Sequence, residues 1–337
     1  MSGSVGVIGA GAWGSALAMK AAAAGRPVVL WARQAAIAAV IEETRFNPLY
    51  LPDVVFDPLI RATTDLALVA AADVVLLVVP AQHLRALCRA LAPLLAPGRP
   101  LVLCAKGIEL ATGSLMSEVA AAELPRTPLA ILSGPTFAAE VARGLPTAVT
   151  LACRDATLGE RLIQMLGRPS FRPYLSPDLV GTEIGGAVKN VLAIACGIVV
   201  GRRLGDNARA ALITRGLAEM IRLGQAKGAA RETLMGLSGL GDLVLTCTGT
   251  QSRNLSLGMA LGRGEPQAGP LSARRAVVEG VPTAAAVVAL ARRLAVEMPI
   301  CAAIDAILNR GADIQSCIAA LLARPFTTEA ADRALGP

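Results

Sequence analysis

The stretch VGVIGAGAWGSALAMKAAAA, Val5 to Ala24, decides how the first half of the chain is read. Val5–Ile8 is a short β-branched run and Ser15–Ala24 has a helical pattern; between them GAGAWG, Gly9 to Gly14, has the spacing G-x-G-x-x-G. In that setting each glycine has a task. Gly9 permits the tight turn, Gly11 lets backbone approach a pyrophosphate, and Gly14 lets the helix pack on the strand. The free N–H groups at the helix start then face the anion. A glycine loop after a strand and before a helix predicts a dinucleotide site; the competing reading is a plain structural turn.

Working outward, Pro27–Trp31 reads as the second strand. A site for NAD alone usually places Asp or Glu about 20 residues past the glycines, for the ribose 2′-OH. Here the strand ends Trp31-Ala32-Arg33. Arg33 could meet a 2′-phosphate, which favours NADP or acceptance of both cofactors; otherwise it is a solvated strand-end charge. A helix over Gln34–Thr44 precedes an irregular, proline-containing connection at Asn47–Pro52. Asp73–Val79 reads as a buried parallel strand ending at Pro80, with His83 just beyond, where ligands of such sheets lie, as a helix-start residue or else a catalyst. Pro100–Cys104 delivers Ala105-Lys106-Gly107 to the same sheet edge, and Leu129–Leu132 delivers Ser133-Gly134-Pro135-Thr136-Phe137-Ala138. Ala148–Ala152 and Phe171–Leu175 close the series. Beyond Ser176 the pattern is helical, so residues 1–176 form an α/β dinucleotide-binding domain with a mostly parallel sheet, and 177–337 an all-helical domain.

The second half opens on GTEIGGAVKNVLAIACG, Gly181 to Gly197. Two adjacent glycines inside a helix each cost roughly 1 kcal/mol relative to Ala, so Gly185-Gly186 imply a close approach, read here as a ligand against the backbone. Lys189 follows at once. The chain has 28 arginines and four lysines, Lys20, Lys106, Lys189 and Lys227. An ammonium can give up its proton when desolvated and a guanidinium in practice cannot, so Lys106 and Lys189, in glycine-containing contexts, are candidates for proton transfer. Lys20 and Lys227 lie in Ala-rich helical sequence and read as solvated. Further on, Gly239, Gly241 and Asp242 precede Ser252-Arg253-Asn254, a hydroxyl, a forked cation and an amide at a helix start. That trio is either an anion cradle or an N-cap with a solvated Arg; Asp242 is either a cap or a carboxylate that acts on Lys189.

Composition narrows the classes. The 337 residues suffice for two cores. The hydrophobic fraction is 54% and the mean hydropathy +0.57, but apolar runs are interrupted by Asp73, Pro80, Lys189 and Arg202, so no membrane span is expected. The N-terminus lacks a basic leader and reads as cytoplasmic. Seven scattered cysteines without C-x-x-C spacing read as reduced and buried, and the single histidine, His83, leaves no metal cluster. The net charge of +7 comes from dispersed arginines without interleaved aromatics, which excludes a nucleic-acid footprint and suits an anionic substrate with a phosphate-rich cofactor.

GAGAWG, the AKGIE around Lys106, SGPTFAAE from Ser133, GGAVKNVLAI around Lys189, NARAALITRGLAEM from Asn207, GLGDLVLTCT around Asp242, QSRN and the VVEG ending at Gly280 together resemble the bacterial NAD(P)-dependent glycerol-3-phosphate dehydrogenases. The likeness runs from residue 5 to about 300 in the family's order. It implies a Rossmann-type domain followed by a helical domain like the C-terminal domain of 6-phosphogluconate dehydrogenase. It also implies reversible conversion of sn-glycerol 3-phosphate and dihydroxyacetone phosphate with NADP or NAD, for glycerophospholipid synthesis, in a cytoplasmic homodimer. Carried over by position, Lys189 exchanges the proton. Lys106, Gly134, Thr136, Asp242, Ser252, Arg253 and Asn254 join it in contacting substrate. Gly9, Gly11, Ala12, Trp13, Gly14, Arg33, Lys106, Ala138, Arg253, Val277 and Glu279 contact the cofactor. Position 12 is Ala where relatives often have Ser, removing a hydroxyl near the pyrophosphate, and Gly311–Pro337 carries no motif. A related two-domain dehydrogenase of β-hydroxy acids or sugar acids could use a similar lysine, and a cofactor-binding scaffold would need only the glycine loop.

Overall fold

The structure is a computed structural model and describes residues 3–265 and 278–325. Its strands are β1 (Val5–Ile8), β2 (Val28–Trp31), β3 (Ile60–Thr63), β4 (Val74–Leu77), β5 (Leu101–Leu103), β6 (Leu129–Ser133), β7 (Thr147–Cys153) and β8 (Phe171–Ser176). They form one sheet in the order β3-β2-β1-β4-β5-β6-β7-β8, parallel except between β6 and β7. Helices α1 (Ala12–Ala23), α2 (Ala35–Thr44), α3 (Leu66–Ala70), α4 (Leu84–Leu91), α5 (Met116–Glu123), α6 (Ala138–Ala142) and α7 (Ala156–Leu166) belong to this half.

The strands are continuous apolar runs because both faces of the sheet are covered. Alternate residues serve opposite cores: Val5, Val7, Leu30 and Leu76 join one, Ile8, Val75 and Leu77 the other. Each such side chain, fully buried, contributes roughly 2 kcal/mol. β1 pairs with both β2 and β4, so the connections leave it in opposite directions and a crevice opens beyond the strands' carboxyl ends. Asn47, from the irregular connection, is fully buried and donates from Nδ2 to the Ala10 carbonyl at 2.9 Å and to Ser15 Oγ at 3.0 Å, which fixes the glycine loop from behind. Strand β3 was not expected from sequence. IRAT is an edge strand with one fully buried side chain, too short and too polar to show a periodicity.

The second half contains α8 (Leu179–Gly201), α9 (Asp206–Ala226), α10 (Arg231–Leu234), a π-helical turn (Leu237–Gly241), α11 (Asp242–Thr248), α12 (Arg253–Gly262), α13 (Gly280–Arg293), α14 (Pro299–Arg310) and α15 (Ile314–Leu322). The Asp178 carboxylate caps α8 by accepting from Gly181 N at 2.8 Å, and accepts Ala230 N at 2.9 Å on its other oxygen. α8 is the axis of this half. It is long and apolar enough to cross a membrane, yet 89% of its most apolar window is buried inside the protein, as in a core helix. Helix α12 lies directly on it, because Gly197 and Gly201 face Gly258 and Gly262; a Cβ on Gly258 would fall 2.1 Å from the Ile194 carbonyl oxygen.

Two expectations need correction. The Gly185-Gly186 pair is not explained by a ligand. A Cβ on Gly185 would stand 2.4 Å from the Ser238 carbonyl oxygen in the π-helical turn, and one on Gly186 2.9 Å from Ser133 Oγ, so the glycines admit the protein's own neighbours. Nor is Lys20 solvated. It is 6% exposed in α1, and burial lowers its proton affinity. Lys227 is partly buried and pairs with Glu118 at 2.6 Å.

Candidate active site

The site begins with three loops at the carboxyl edge of the sheet. β1 leads into Gly9, whose φ of +121° places its would-be Cβ 2.3 Å from the Val78 carbonyl oxygen, so only glycine fits the turn. Gly11 stands at the N-cap of α1 with no side-chain cap, and a Cβ there would meet nothing within 4 Å, so the start of α1 is open on that side. Gly14 is the reverse case, its would-be Cβ 1.8 Å from Gly9 O, as strand-to-helix packing requires. Ala12 and Trp13 open α1. Trp13 and Ala138, the first residue of α6, both pack on the same core, and the Trp13 indole Nε1 is buried without a partner among the described residues. Arg33 is exposed just past β2.

β5 delivers Lys106. Its amine donates to the Gly134 carbonyl at 3.0 Å and to Asp242 Oδ2 at 2.7 Å. The Thr136 hydroxyl donates to the same carbonyl at 3.3 Å. The other oxygen of Asp242, Oδ1, accepts the Lys189 amine at 2.6 Å. Lys189 sits mid-helix in α8. Its amine also donates to Thr246 Oγ1 at 2.9 Å, and that hydroxyl donates to the Asp242 carbonyl at 2.6 Å, one helical turn back. Asp242 has no exposed side-chain surface, Lys189 8% and Lys106 15%. The π-helical turn before Asp242 is what lets α11 begin against α8, the extra residue widening the turn where Gly185 admits Ser238.

Burial is the largest influence on the Lys189 amine and lowers its pKa to about 8. Asp242 pulls it upward and the like charge of Lys106 pushes it down. The result is an amine able to exchange a proton near neutral pH.

Ser252 caps α12, its Oγ accepting from Leu255 N at 3.2 Å, so the hydroxyl of the trio is a helix cap. Arg253 follows at the helix start and is exposed, and its charge reaches Glu279, drawing that carboxyl's pKa down against burial. Burial dominates there and raises Glu279 to about 7. Its Oε1 accepts Ala81 N at 3.3 Å, beyond β4, while Oε2 is buried without a partner among the described residues. Asn254 is buried and bonded to Asn190 and Gly280. Val277 lies outside the described residues.

The fold therefore brings Lys106, Gly134, Thr136, Lys189 and Asp242 into direct contact and places Ser252, Arg253, Asn254 and Glu279 on adjoining helix starts. The sequence reading missed Thr246 and gave Asn190 no role. The only signals were their positions: Thr246 is four residues past Asp242, one turn along the same helix face, and Asn190 is next to Lys189.

Known proteins resemble this chain over nearly its whole length. The family profile of the NAD-dependent glycerol-3-phosphate dehydrogenase N-terminus matches residues 4–159, and that of the C-terminus matches residues 178–319. The chain is 57% identical over 325 residues to a glycerol-3-phosphate dehydrogenase (NAD(P)+) of Parvibaculum lavamentivorans, covering 96% of this chain and 98% of that one. It is 60% identical over 327 residues to one of Rhodospirillum rubrum, covering 96% and 93%. The crystal structure of a glycerol-3-phosphate dehydrogenase from Coxiella burnetii superposes with a TM-score of 0.93 at 40% identity, covering 96% of this chain and 99% of that one.

Proposed function

The chain belongs to the NAD-dependent glycerol-3-phosphate dehydrogenase family, and we propose that it interconverts dihydroxyacetone phosphate and sn-glycerol 3-phosphate with Lys189 as the proton-exchanging residue. The observation that carries this reading is the buried amine of Lys189, held on Asp242 with its pKa lowered to about 8. Such a group can protonate an alkoxide as ketone becomes alcohol and take the proton back in the reverse direction. Asp242 keeps that amine aimed while leaving it one N–H beyond the bonds to Oδ1 and Thr246. Lys106, fixed by Gly134 O and Asp242, adds positive charge beside the developing oxyanion. Gly134 and Thr136 line the same edge, and Ser252, Arg253 and Asn254 at the start of α12 set a cation and helix N–H groups toward the phosphate.

The cofactor cradle fits a nicotinamide dinucleotide. The open side of Gly11 and the uncapped start of α1 suit a pyrophosphate, and Trp13 Nε1 and Glu279 Oε2, buried and without a hydrogen-bond partner among the described residues, are polar atoms that such a cofactor could bond. Gly9, Gly11, Ala12, Trp13, Gly14, Arg33, Lys106, Ala138, Arg253, Val277 and Glu279 would hold it, Arg33 from the surface where a 2′-phosphate would project. When bound, the nicotinamide supplies or accepts the hydride. Residues 1–176 would then be the cofactor half and 177–337 the substrate and catalytic half. We extend the same reading to a cytoplasmic homodimer that feeds glycerophospholipid synthesis, as the family resemblance implies.

Reduction of dihydroxyacetone phosphate, followed with NADPH and NADH side by side, tests the proposal. Turnover should require the phosphate. Activity on an unphosphorylated hydroxy acid with none on the triose phosphate would overturn it in favour of a β-hydroxy-acid dehydrogenase.

A further inference from the structure

Between the turn that carries Lys106 and the start of α13, two buried side-chain amides stand end to end. Asn190 is 5% exposed and Asn254 8%. Asn190 Nδ2 donates to the Lys106 carbonyl at 3.1 Å and, within α8, to the Gly186 carbonyl at 3.3 Å. Asn190 Oδ1 accepts from Asn254 Nδ2 at 2.9 Å, and Asn254 Oδ1 accepts from Gly280 N at 3.1 Å. The two ends fix both amide orientations. A backbone N–H can only donate, so Gly280 turns the Asn254 oxygen toward itself and its NH₂ toward Asn190; a carbonyl can only accept, so Lys106 does the same to Asn190. No apolar residue, and no pure donor or acceptor, could continue such a relay.

The turn and the helix start are also in direct contact. A Cβ on Gly107 would lie 2.7 Å from the Ala81 methyl and 3.5 Å from Glu279 Oε2. On Gly280 it would lie 2.7 Å from Asn254 Oδ1 and 2.8 Å from Asn190 O. Glu279 is in turn bonded to Ala81 N. The Lys106 turn, α8, α12 and the Glu279–Gly280 corner thus form a closed ring of contacts.

We propose that Asn190 and the Asn254 side chain are positioning residues, a two-amide relay that sets the spacing between Lys106 on the substrate side and Glu279 on the cofactor side. This rests on the assignment of those two sides made above; the bond to Asn190 uses one of the two Asn254 Nδ2 hydrogens, so the brace is compatible with a phosphate contact from the other. Asn190 touches neither Glu279 nor the glycine loop in the described contacts, so an effect of Asn190 on cofactor affinity travels either through Lys106 or through Asn254 and Gly280, and the cycle with Asn254 separates the two routes.

The test is a double-mutant cycle read by NADPH dissociation constants, from the nucleotide's fluorescence without substrate, together with KM and kcat for dihydroxyacetone phosphate. Asn190→Ala should weaken NADPH about 5-fold, the size expected when the cofactor site feels the loss of the one bond that links the two amides, and Asn254→Ala by a similar factor. The double variant should be no weaker than about 5-fold, because the relay is broken once. Both singles should lower kcat, through a displaced Lys106, and not merely raise KM. If the alanine variants fail to fold, Asn190→Asp carries the same test. It keeps size and the acceptor for Asn254 and loses both donors, and NADPH should again weaken about 5-fold. An NADPH affinity within about twofold of the parent in Asn190→Ala or Asn190→Asp, or a double variant weakened multiplicatively to about 25-fold, overturns the relay. Failure of the parent enzyme to reduce dihydroxyacetone phosphate would strike the functional reading instead, with the binding cycle still deciding this one.

Discussion

Lys189 and Asp242 meet at 2.6 Å in a position where the carboxylate has no exposed surface, and the same carboxylate holds Lys106 on its other oxygen at 2.7 Å. Two cations therefore share one buried anion, leaving a net positive charge in the cluster. That excess favours an anionic reactant, and it makes the site depend on Asp242 more than on either lysine.

Replacing Asp242 by Asn leaves two ammonium groups without a counter-charge. Removing one member of a buried ion pair costs roughly 3–5 kcal/mol. Asp242→Asn should lower the melting temperature markedly and, since Asp242 raises the Lys189 pKa, shift the pH dependence of turnover to lower pH. An unchanged melting temperature would show that solvent or relaxation compensates the cluster.

Lys189 sets the pH profile of the chemistry. With its pKa at about 8, kcat/KM for reduction should fall as pH rises through that value, because the protonated amine is the acid; for oxidation it should rise over the same range. Lys189→Ala should reduce kcat by roughly 10²–10⁴-fold and leave the NADPH dissociation constant nearly unaltered. Near-normal turnover in that variant would remove Lys189 from the mechanism.

Arg253 stands at the start of α12, and Arg253→Ala should chiefly raise KM for the phosphorylated substrate, with a smaller loss in cofactor affinity. The measurement is steady-state kinetics paired with a direct substrate dissociation constant, which separates uniform binding from transition-state effects. Equal KM values in parent and variant would leave the phosphate without its proposed partner.

Glu183 gives a stability prediction with a defined sign. It is buried in α8 and accepts Ser117 N at 2.7 Å and the Ser117 hydroxyl at 2.5 Å, and burial raises its pKa from 4.5 to about 7. The folded state holds this proton more tightly than the unfolded chain. The resulting stabilisation is fully present below about pH 4.5 and is lost as pH rises through about 7, so the slope of stability against pH is negative between them. Glu279, also raised to about 7, adds a slope of the same sign. Glu183→Gln keeps an acceptor for Ser117 N and removes the titration, so its urea midpoint should vary less than the parent's between pH 5 and 7.5. Parallel curves would show that Glu183 does not titrate in this range.

Gly258→Ala should separate α12 from α8. The new methyl would sit 2.1 Å from the Ile194 carbonyl, which is backbone and cannot swing aside. Overpacking of this kind costs roughly 1–3 kcal/mol, and because α12 carries Arg253 and Asn254, substrate affinity should fall along with the melting temperature. A variant as stable as the parent would mean that the helices part without loss.

Read as a string, the chain already declares its sheet and its reagents. The loop Gly9–Gly14 lies between a β-branched run and a helix, and every feature that makes it a tight strand-to-helix turn is local, so spacing alone suffices. The same holds for the scarcity of lysine, which points to Lys106 and Lys189, and for the break in pattern after Ser176. Local signals also failed in identifiable ways. Edge strand β3 buries too little to show a period, Lys20 is buried in the fold with its amine near Gly144, and the Gly185-Gly186 pair answers to Ser238 and Ser133, not to a ligand. What tertiary structure alone decided is who shares what. Asp242 is 53 residues from Lys189 and 136 from Lys106, and Asn254 is 64 from Asn190. No periodicity spans such distances; only the packing of α8 against the π-helical turn and α12 brings one carboxylate to two amines and lines up two amides.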